Sequence, residues 1–547
     1  MLFRRIIPLP LTLITAVIAC SFAHAAAPLH QQIDALIEAG ANNTPLAATA
    51  DDAEFLRRIF LDFTGSIPTL DEARAFLADK SPDKRSKLID QLITSDHYPR
   101  RMAELFHVML MERRGDHAEW QAYLLESFKA NKPWDQLARE ILGPDPRNEK
   151  TRASAFFYSK RLEKYGENPT DYPGLTRDVG RLFLGMDLQC AQCHNHLTVR
   201  DYKQSDFQGL YAVYLNLNLH GGAFPAVSEK PMTKKLEFAS VFGKEPKQIG
   251  PRVPGMPELD VPATEKGKEF AVAADKQKNL PPVPAFSPMA RIAELLPSDA
   301  NEQFARNAVN RLWFVMMGRG LVHPLDLHHK DNPPSHPQLL ELLAKEFVAH
   351  KYDTRWLLRE LALTKTYQRS SVAPSTSVTV ATAAQDRFAV ALERRLSSEQ
   401  LLRCVLIATG EMARVSVAKP SKDSKDAAAI NFDDLKKRFD ATFAAEPKEP
   451  EEAVDHTLKG ALFMRNDAVF LALLKPREGN LVDRLSKQTD AGKLAEDLYL
   501  CVLTRLPSAE ENAEVGAFLT KRGDRKGEAI ADLAWALLAS AEFQVNH

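Results

Sequence analysis

The sequence predicts a mainly α-helical protein with two helical domains, joined by a linker or insert that contains a few short strands. Three observations predict this fold class. Apolar residues recur three and four positions apart in both halves of the chain, which is the spacing of a helix face. Ser or Thr followed three residues later by Glu or Gln predicts helix starts at Thr69, Ser335 and Ser397. A chain of 547 residues is too long for one ordinary core.

The first helical domain is predicted over residues 30–219. An apolar stripe at 54–60 stops near Gly65 and Pro68, and the Thr69 cap opens the next helix. Residues 175–188 carry enough large apolar side chains to predict a buried helix.

Composition changes over residues 220–285. Short apolar stretches alternate there with Lys, Pro and Gly, which is typical of turns and short strands. The linker or insert is therefore assigned to this range. Helical spacing resumes at residue 286 and defines the second domain, 286–547, in which a helix over 301–317 is predicted to stop at Gly318.

The first 25 residues have the anatomy of a signal peptide. Arg4 and Arg5 precede an apolar run at 6–19, and residues 23–25 read Ala-His-Ala, an A-x-A cleavage site. A second interpretation makes Cys20 the lipidated first residue of a lipoprotein, because residues 17–20 resemble a lipoprotein box. Both interpretations predict export to the periplasm or cell envelope.

Charge and hydropathy exclude two classes of partner. The net charge of −1 gives no bulk field that would favour nucleic acid or an anionic membrane. Beyond the leader, no apolar stretch is long enough to span a bilayer, so no transmembrane span is expected.

The strongest motif is C-x-x-C-H, formed by Cys190, Cys193 and His194. This is the attachment signature of c-type haem, in which two thiols add to the vinyl groups and the histidine holds the iron from one face. We therefore predict one covalent haem c. The alternative is a zinc site in which Cys190, Cys193 and His196 act with one distant ligand. A Cys190–Cys193 disulfide is a third interpretation. Cys404 and Cys501 lie in apolar helical patterns, which predicts small buried hydrophobes.

A second group of metal-binding residue types lies in one proline-rich loop. It could bind a metal or line a polar pocket, but the favoured interpretation is a solvated loop before the Ser335 cap. Its members are His323, Asp326, His328, His329, Asp331 and His336.

Several motifs resemble one known family. Residues 183–194 read FLGMDLQCAQCH, residues 62–69 read DFTGSIPT and residues 131–135 read NKPWD. All three closely resemble signatures of planctomycete-type cytochrome-like proteins. Residues 310–313, 318–322 and 332–337 are similar to the C-terminal partner domain of that family. One departure is that Asn195-His196-Leu197 stands where the family usually has Asp-His-Pro.

The resemblance implies an exported bacterial protein with two domains of uncharacterised function. Together with C-x-x-C-H it favours electron transfer or redox support in the cell envelope, with an envelope redox partner that the sequence does not identify. The alternative is a haem-free binding or scaffold protein. An enzyme acting on extracellular carbohydrate ranks last, because no catalytic acid–base pair or nucleophile can be named from the sequence.

Overall fold

A computed structural model describes residues 27–164, 166–222, 226–243, 245–373, 382, 384–416, 430–448 and 458–547. The predicted signal peptide and Cys20 lie outside these residues. The fold is mainly α-helical, as predicted, and the described strands form two-stranded sheets. None of the helices in this described part has the length and apolarity that crossing a bilayer requires.

In its described residues the first helical region contains ten helices, and short 3₁₀ turns lie at Arg152–Ala155 and Cys190–Gln192. The predicted Thr69 capping box is confirmed at the start of its third helix. The helices are α1 (Leu29–Gly40), α2 (Asp52–Thr64), α3 (Leu70–Ala78), α4 (Lys84–Ile93), α5 (His97–Met111), α6 (Ala118–Lys129), α7 (Trp134–Leu142), α8 (Phe156–Leu162), α9 (Tyr172–Leu184) and α10 (Gln204–Tyr214).

Short strands follow, as the change in composition predicts. They pair as three antiparallel hairpins. The pairs are β1 (Leu217–His220) with β2 (Ala226–Glu229), β3 (Leu236–Phe238) with β4 (Lys247–Ile249), and β5 (Phe270–Val272) with β6 (Val283–Pro284).

The second helical region begins with α11 (Pro288–Leu295), α12 (Glu302–Met317), α13 (Pro337–Ala349) and α14 (Thr354–Leu363). It continues with β7 (Arg394–Arg395), α15 (Ser398–Thr409), β8 (Val415–Ser416), β9 (Ile430–Asn431), α16 (Phe432–Phe443), α17 (Leu458–Asn466), α18 (Ala468–Ala472), α19 (Leu481–Ser486), α20 (Ala491–Leu503), α21 (Ala509–Arg522), α22 (Lys526–Leu538) and β10 (Val545–Asn546).

Helix boundaries in this second region agree with two of the three predictions made for it. Gly318 ends α12 with a positive φ of 79°, and Ser397 forms its predicted capping box. The predicted cap at Ser335 is wrong. Helix α13 begins at Pro337, whose fixed φ suits the first helical position, and its N-cap is His336, which forms no side-chain cap bond.

Two large hydrophobic cores form, and they do not coincide with the two halves of the sequence. The first core runs from α1 to Phe388 and also includes Leu500 of α20, so α11–α14 pack into the same apolar interior as α1–α10. The second core contains α15–α22, together with Leu61 and Ile67 from the beginning of the chain. The two helical regions are therefore joined by a shared interior as well as by the hairpin segment.

Helix α2 lies between the two cores, and residues 55–64 are buried. Its carboxylate Asp62 accepts hydrogen bonds from the Tyr367 hydroxyl at 2.7 Å, Arg394 Nη2 at 2.8 Å and Asn546 Nδ2 at 2.9 Å. Its guanidinium Arg57 donates to the Phe543 carbonyl at 2.7 Å. Three distant segments of the second region are thus fixed on one helix of the first.

Candidate functional site

The C-x-x-C-H segment follows directly from the end of α9. Gly185 ends this helix with a φ of 65°, and a Cβ at that position would lie 2.5 Å from His328 Cδ2. Glycine is therefore required there, both for backbone conformation and for space. The chain then enters the 3₁₀ turn, in which the Cys193 N–H donates to the Cys190 carbonyl at 3.4 Å.

This turn is fixed by one buried residue and presents two thiols to solvent. Ala191 is fully buried in the first core, whereas Cys190 and Cys193 are exposed and form no disulfide. Residues three apart share one side of a 3₁₀ turn, which explains why both thiols are exposed together. Both sulfurs are accessible to chemistry from outside the protein.

His194 has one ring nitrogen engaged. Its Nδ1 lies 2.6 Å from the Asn195 carbonyl oxygen, which can only accept, so the proton resides on Nδ1. The lone pair of Nε2 is then available to a metal, which is the arrangement that second-shell hydrogen bonds impose on ligating histidines. The ring also contacts Phe242, with 4.8 Å between centroids.

His196 is used inside the loop. Its backbone N–H donates to the Tyr202 carbonyl at 2.9 Å, and its Nδ1 accepts from the Val199 N–H at 2.9 Å. Within the described ranges, no three His, Cys, Asp or Glu side chains come together in a group that could hold a metal ion. The zinc alternative stays a prediction that requires these side chains to rearrange.

Large apolar side chains are exposed around the same turn. Leu197 is 75% exposed, Val241 66% and Phe242 72%. The Val241 N–H donates to the Cys193 carbonyl at 3.1 Å, so the chain after β3 is held against the turn. A cluster of exposed apolar side chains is typical of a surface that binds an apolar group.

Asn195, where the sequence departs from the usual family motif, has a clear structural role. Its Oδ1 accepts the backbone N–H of Gln204, the first residue of α10, at 2.9 Å. An aspartate carboxylate would accept the same bond. The substitution therefore preserves the contact that connects the turn to α10.

Comparison with protein families matches both helical regions. The model of PSCyt2, a protein of unknown function (DUF1549), matches residues 32–218, and the model of PSD1, a protein of unknown function (DUF1553), matches residues 290–519. The two helical regions are thus each similar to a planctomycete cytochrome-like family of unknown function, one in the N-terminal and one in the C-terminal position. Searches of curated proteins and of solved structures found no match. Neither family has an assigned function.

The two other cysteines that the structure describes lie in the PSD1 region and differ from the pair in the PSCyt2 region. Cys404 and Cys501 are buried in the second core, which confirms their prediction as small buried hydrophobes. Burial raises the pKa of Cys404 to about 11 and also raises the pKa of Cys501. Both thiols are therefore protonated and unreactive at neutral pH.

The histidine- and aspartate-rich loop of the PSD1 region is only in part the solvated loop that the sequence favours, since Asp331 is exposed whereas Asp326 and His336 are buried. Asp326 is buried and pairs with Arg311 and Arg181. His328 lies beneath Gly185, and burial lowers its pKa to about 3, so it stays neutral. These contacts support the chain that leads into the C-x-x-C-H turn. The sequence does not reveal the close approach of His328 to Gly185, because the two residues lie far apart in the chain.

Proposed function

We propose that this protein is an exported c-type haem protein that transfers electrons in the cell envelope, with one haem bound at Cys190, Cys193 and His194. One observation carries the proposal. Two exposed, unpaired thiols lie three residues apart, next to an imidazole whose Nδ1 is engaged and whose Nε2 is free to ligate. Haem bound there would supply one-electron oxidation and reduction.

The residues at the site fit that group chemically. The thiols are accessible, as covalent attachment to a macrocycle requires, and the Asn195 carbonyl orients the His194 ring. Phe242, which contacts the His194 ring, and the neighbouring Val241 supply exposed apolar surface beside the ligands, which would exclude water from part of the ring. Near-zero net charge and exposure of the site suit brief encounters with a redox partner in the envelope.

The test is to produce the full chain in a bacterial host that has the haem-attachment machinery. We expect a Soret band, a reversible spectral change on reduction, and an intact mass increased by one haem. Cys190→Ser combined with Cys193→Ser should abolish the added mass. His194→Gln should shift or remove the Soret band, whereas the matched change His196→Gln should leave it unchanged.

Three results would contradict haem attachment. A haem-free mass with one equivalent of zinc would establish the metal alternative, and a mass two hydrogens short would establish the disulfide. A haem-free protein with two reactive thiols would leave a binding or scaffold role. The same mass measurement also distinguishes the two interpretations of the leader, because cleavage after Ala25 and lipidation at Cys20 give N-termini of different mass.

A further inference from the structure

A cavity of about 430 Å³, lined by both charged and apolar side chains, lies between the PSCyt2 and PSD1 regions. We call it the interdomain pocket and define it by Arg101, Leu105 and Val108 of α5, Phe314 and Val315 of α12, and Arg394 of β7. Its volume is within the usual range for pockets that bind small molecules. It is distinct from the C-x-x-C-H turn, and none of its lining residues belongs to that turn.

The buried and half-buried carboxylates around this pocket already have cationic partners. Asp62 binds Arg394, and Glu104 pairs with Arg403. Glu399 binds Arg113 at 2.5 Å and 3.1 Å. Burial alone would raise the pKa of Glu399, but Arg113 and Lys436 hold it at about 2. The other acidic lining residue, Glu393, is exposed.

Arg101 is the exception. It is only 7% exposed, and its Nε is buried with no hydrogen-bond acceptor in the part of the chain that the structure describes. No carboxylate among these residues forms an ion pair with its guanidinium. Arginine stays charged at any physiological pH. Glu104, Asp62 and Glu399 stabilise the Arg101 charge electrostatically without bonding to it, and a buried charge that lacks a bonded acceptor is costly. An anion from outside the chain would satisfy it.

Part of the wall, on α5 and α12, is apolar. Leu105, Val108, Phe314 and Val315 are half-buried, and they also line an adjoining cavity of about 90 Å³ between the same two helices. An occupant that contacts Arg101 therefore also lies against hydrocarbon. A planar guanidinium matches the two oxygens of a carboxylate. From this juxtaposition we propose that the interdomain pocket binds a small amphipathic monocarboxylate, with its carboxylate on Arg101 and its apolar body between α5 and α12.

The experiment titrates the full-length protein with hexanoate and follows binding by calorimetry and by the shift in melting temperature. One equivalent should bind saturably. Hexan-1-ol, which lacks the charge, and acetate, which lacks the chain, should each bind at least about tenfold more weakly. Equal binding of hexanoate and hexan-1-ol would overturn the role of Arg101, and absence of saturable hexanoate binding would overturn the proposal.

Two variants separate a binding role from a structural one. Arg101→Met should weaken hexanoate binding by about tenfold or more without lowering the melting temperature, because it removes an unpaired buried charge. Val108→Phe should fill the apolar half and weaken binding while Arg101 is intact. If Arg101→Met fails to fold, Val108→Phe decides by itself.

Arg100→Met is the matched control for these variants. Arg100 is adjacent on α5 but donates to the Thr64 carbonyl at 2.8 Å and does not line the pocket. It should leave hexanoate affinity unchanged. Equal affinity in the wild type, Arg101→Met and Val108→Phe would contradict the proposed site.

Discussion

The C-x-x-C-H turn and the surroundings of Asp62 both lie in segments that resemble the family, but the fold treats them in opposite ways. Cys190 and Cys193 are exposed and unpaired. Asp62 is buried and receives donors from Tyr367, Arg394 and Asn546. The difference shows that motifs of the same family contain residues with two different roles. Residues whose bonding capacity is filled internally hold the architecture, and residues left open are candidates for chemistry.

The largest expected effect concerns Asp62, whose hydrogen-bonding capacity is filled inside the protein. Asp62→Asn removes the charge that partners Arg394 inside the protein. We expect the free energy of unfolding to fall by about 3–5 kcal/mol, the usual cost of breaking a buried ion pair. Urea denaturation measures it.

The matched control for Asp62→Asn is Glu126→Gln, which removes a carboxylate from an exposed pair with Lys129. The control should change the unfolding free energy by no more than about 0.5 kcal/mol. Equal stabilities for both variants would show that the Asp62 contacts do not hold the two regions together.

Glu229 sharpens the comparison because it is buried like Asp62 but forms no ion pair with a described cation. Burial raises its pKa to about 7, although the Ser287 hydroxyl and the Met289 N–H partly stabilise its charge. The folded state therefore holds an extra proton between the unfolded pKa of 4.5 and about 7. Stability from this group is present below that window and is lost as pH rises through it.

The measurement for Glu229 is the difference in unfolding free energy between the wild type and Glu229→Gln. We expect the variant to gain about 2–3 kcal/mol relative to the wild type between pH 5 and pH 8. A difference independent of pH would mean that Glu229 is ionised in the folded protein throughout this range.

The smallest expected effect concerns the two exposed cysteines of the C-x-x-C-H turn. Replacing Cys190 and Cys193 together by Ser should change the unfolding free energy of the haem-free protein by no more than about 0.5 kcal/mol, because both side chains are exposed. A thiol reagent should modify these two residues in the folded state and reach Cys404 and Cys501 only on unfolding. If Cys190 and Cys193 react as slowly as Cys404 and Cys501 in the folded protein, the two exposed thiols are not accessible and the contrast with the buried pair is wrong.

The parts of the fold that depend on neighbouring residues could be predicted from the sequence. Capping boxes at Thr69 and Ser397 and the stop at Gly318 are local, and all three are found. The predicted N-cap at Ser335 is wrong because Pro337, two residues later, occupies the first helical position. The exposed state of the C-x-x-C-H turn, in contrast, depends on how Ala191 meets the first core, and periodicity does not reveal this.

The interdomain pocket and the shared core could not be predicted, since their contacts join residues hundreds of positions apart. Nothing near Arg101 in sequence indicates that Glu104 is already occupied by Arg403. Similarly, the apolar spacing of α12 predicts a buried face but not that this face packs into the core of the PSCyt2 region.

The carbonyl groups that receive Arg57 have a consequence for how the protein is made. Arg57 is fully buried, and its acceptor at Phe543 lies 486 residues further along the chain. During synthesis the guanidinium of Arg57 on α2 has no carbonyl acceptor at Phe543 until the C-terminal segment of the chain has been made. A fragment that contains only the PSCyt2 region would leave this arginine without its acceptor, so we expect that region to need the chain as far as Phe543, which lies beyond the PSD1 match, to fold stably.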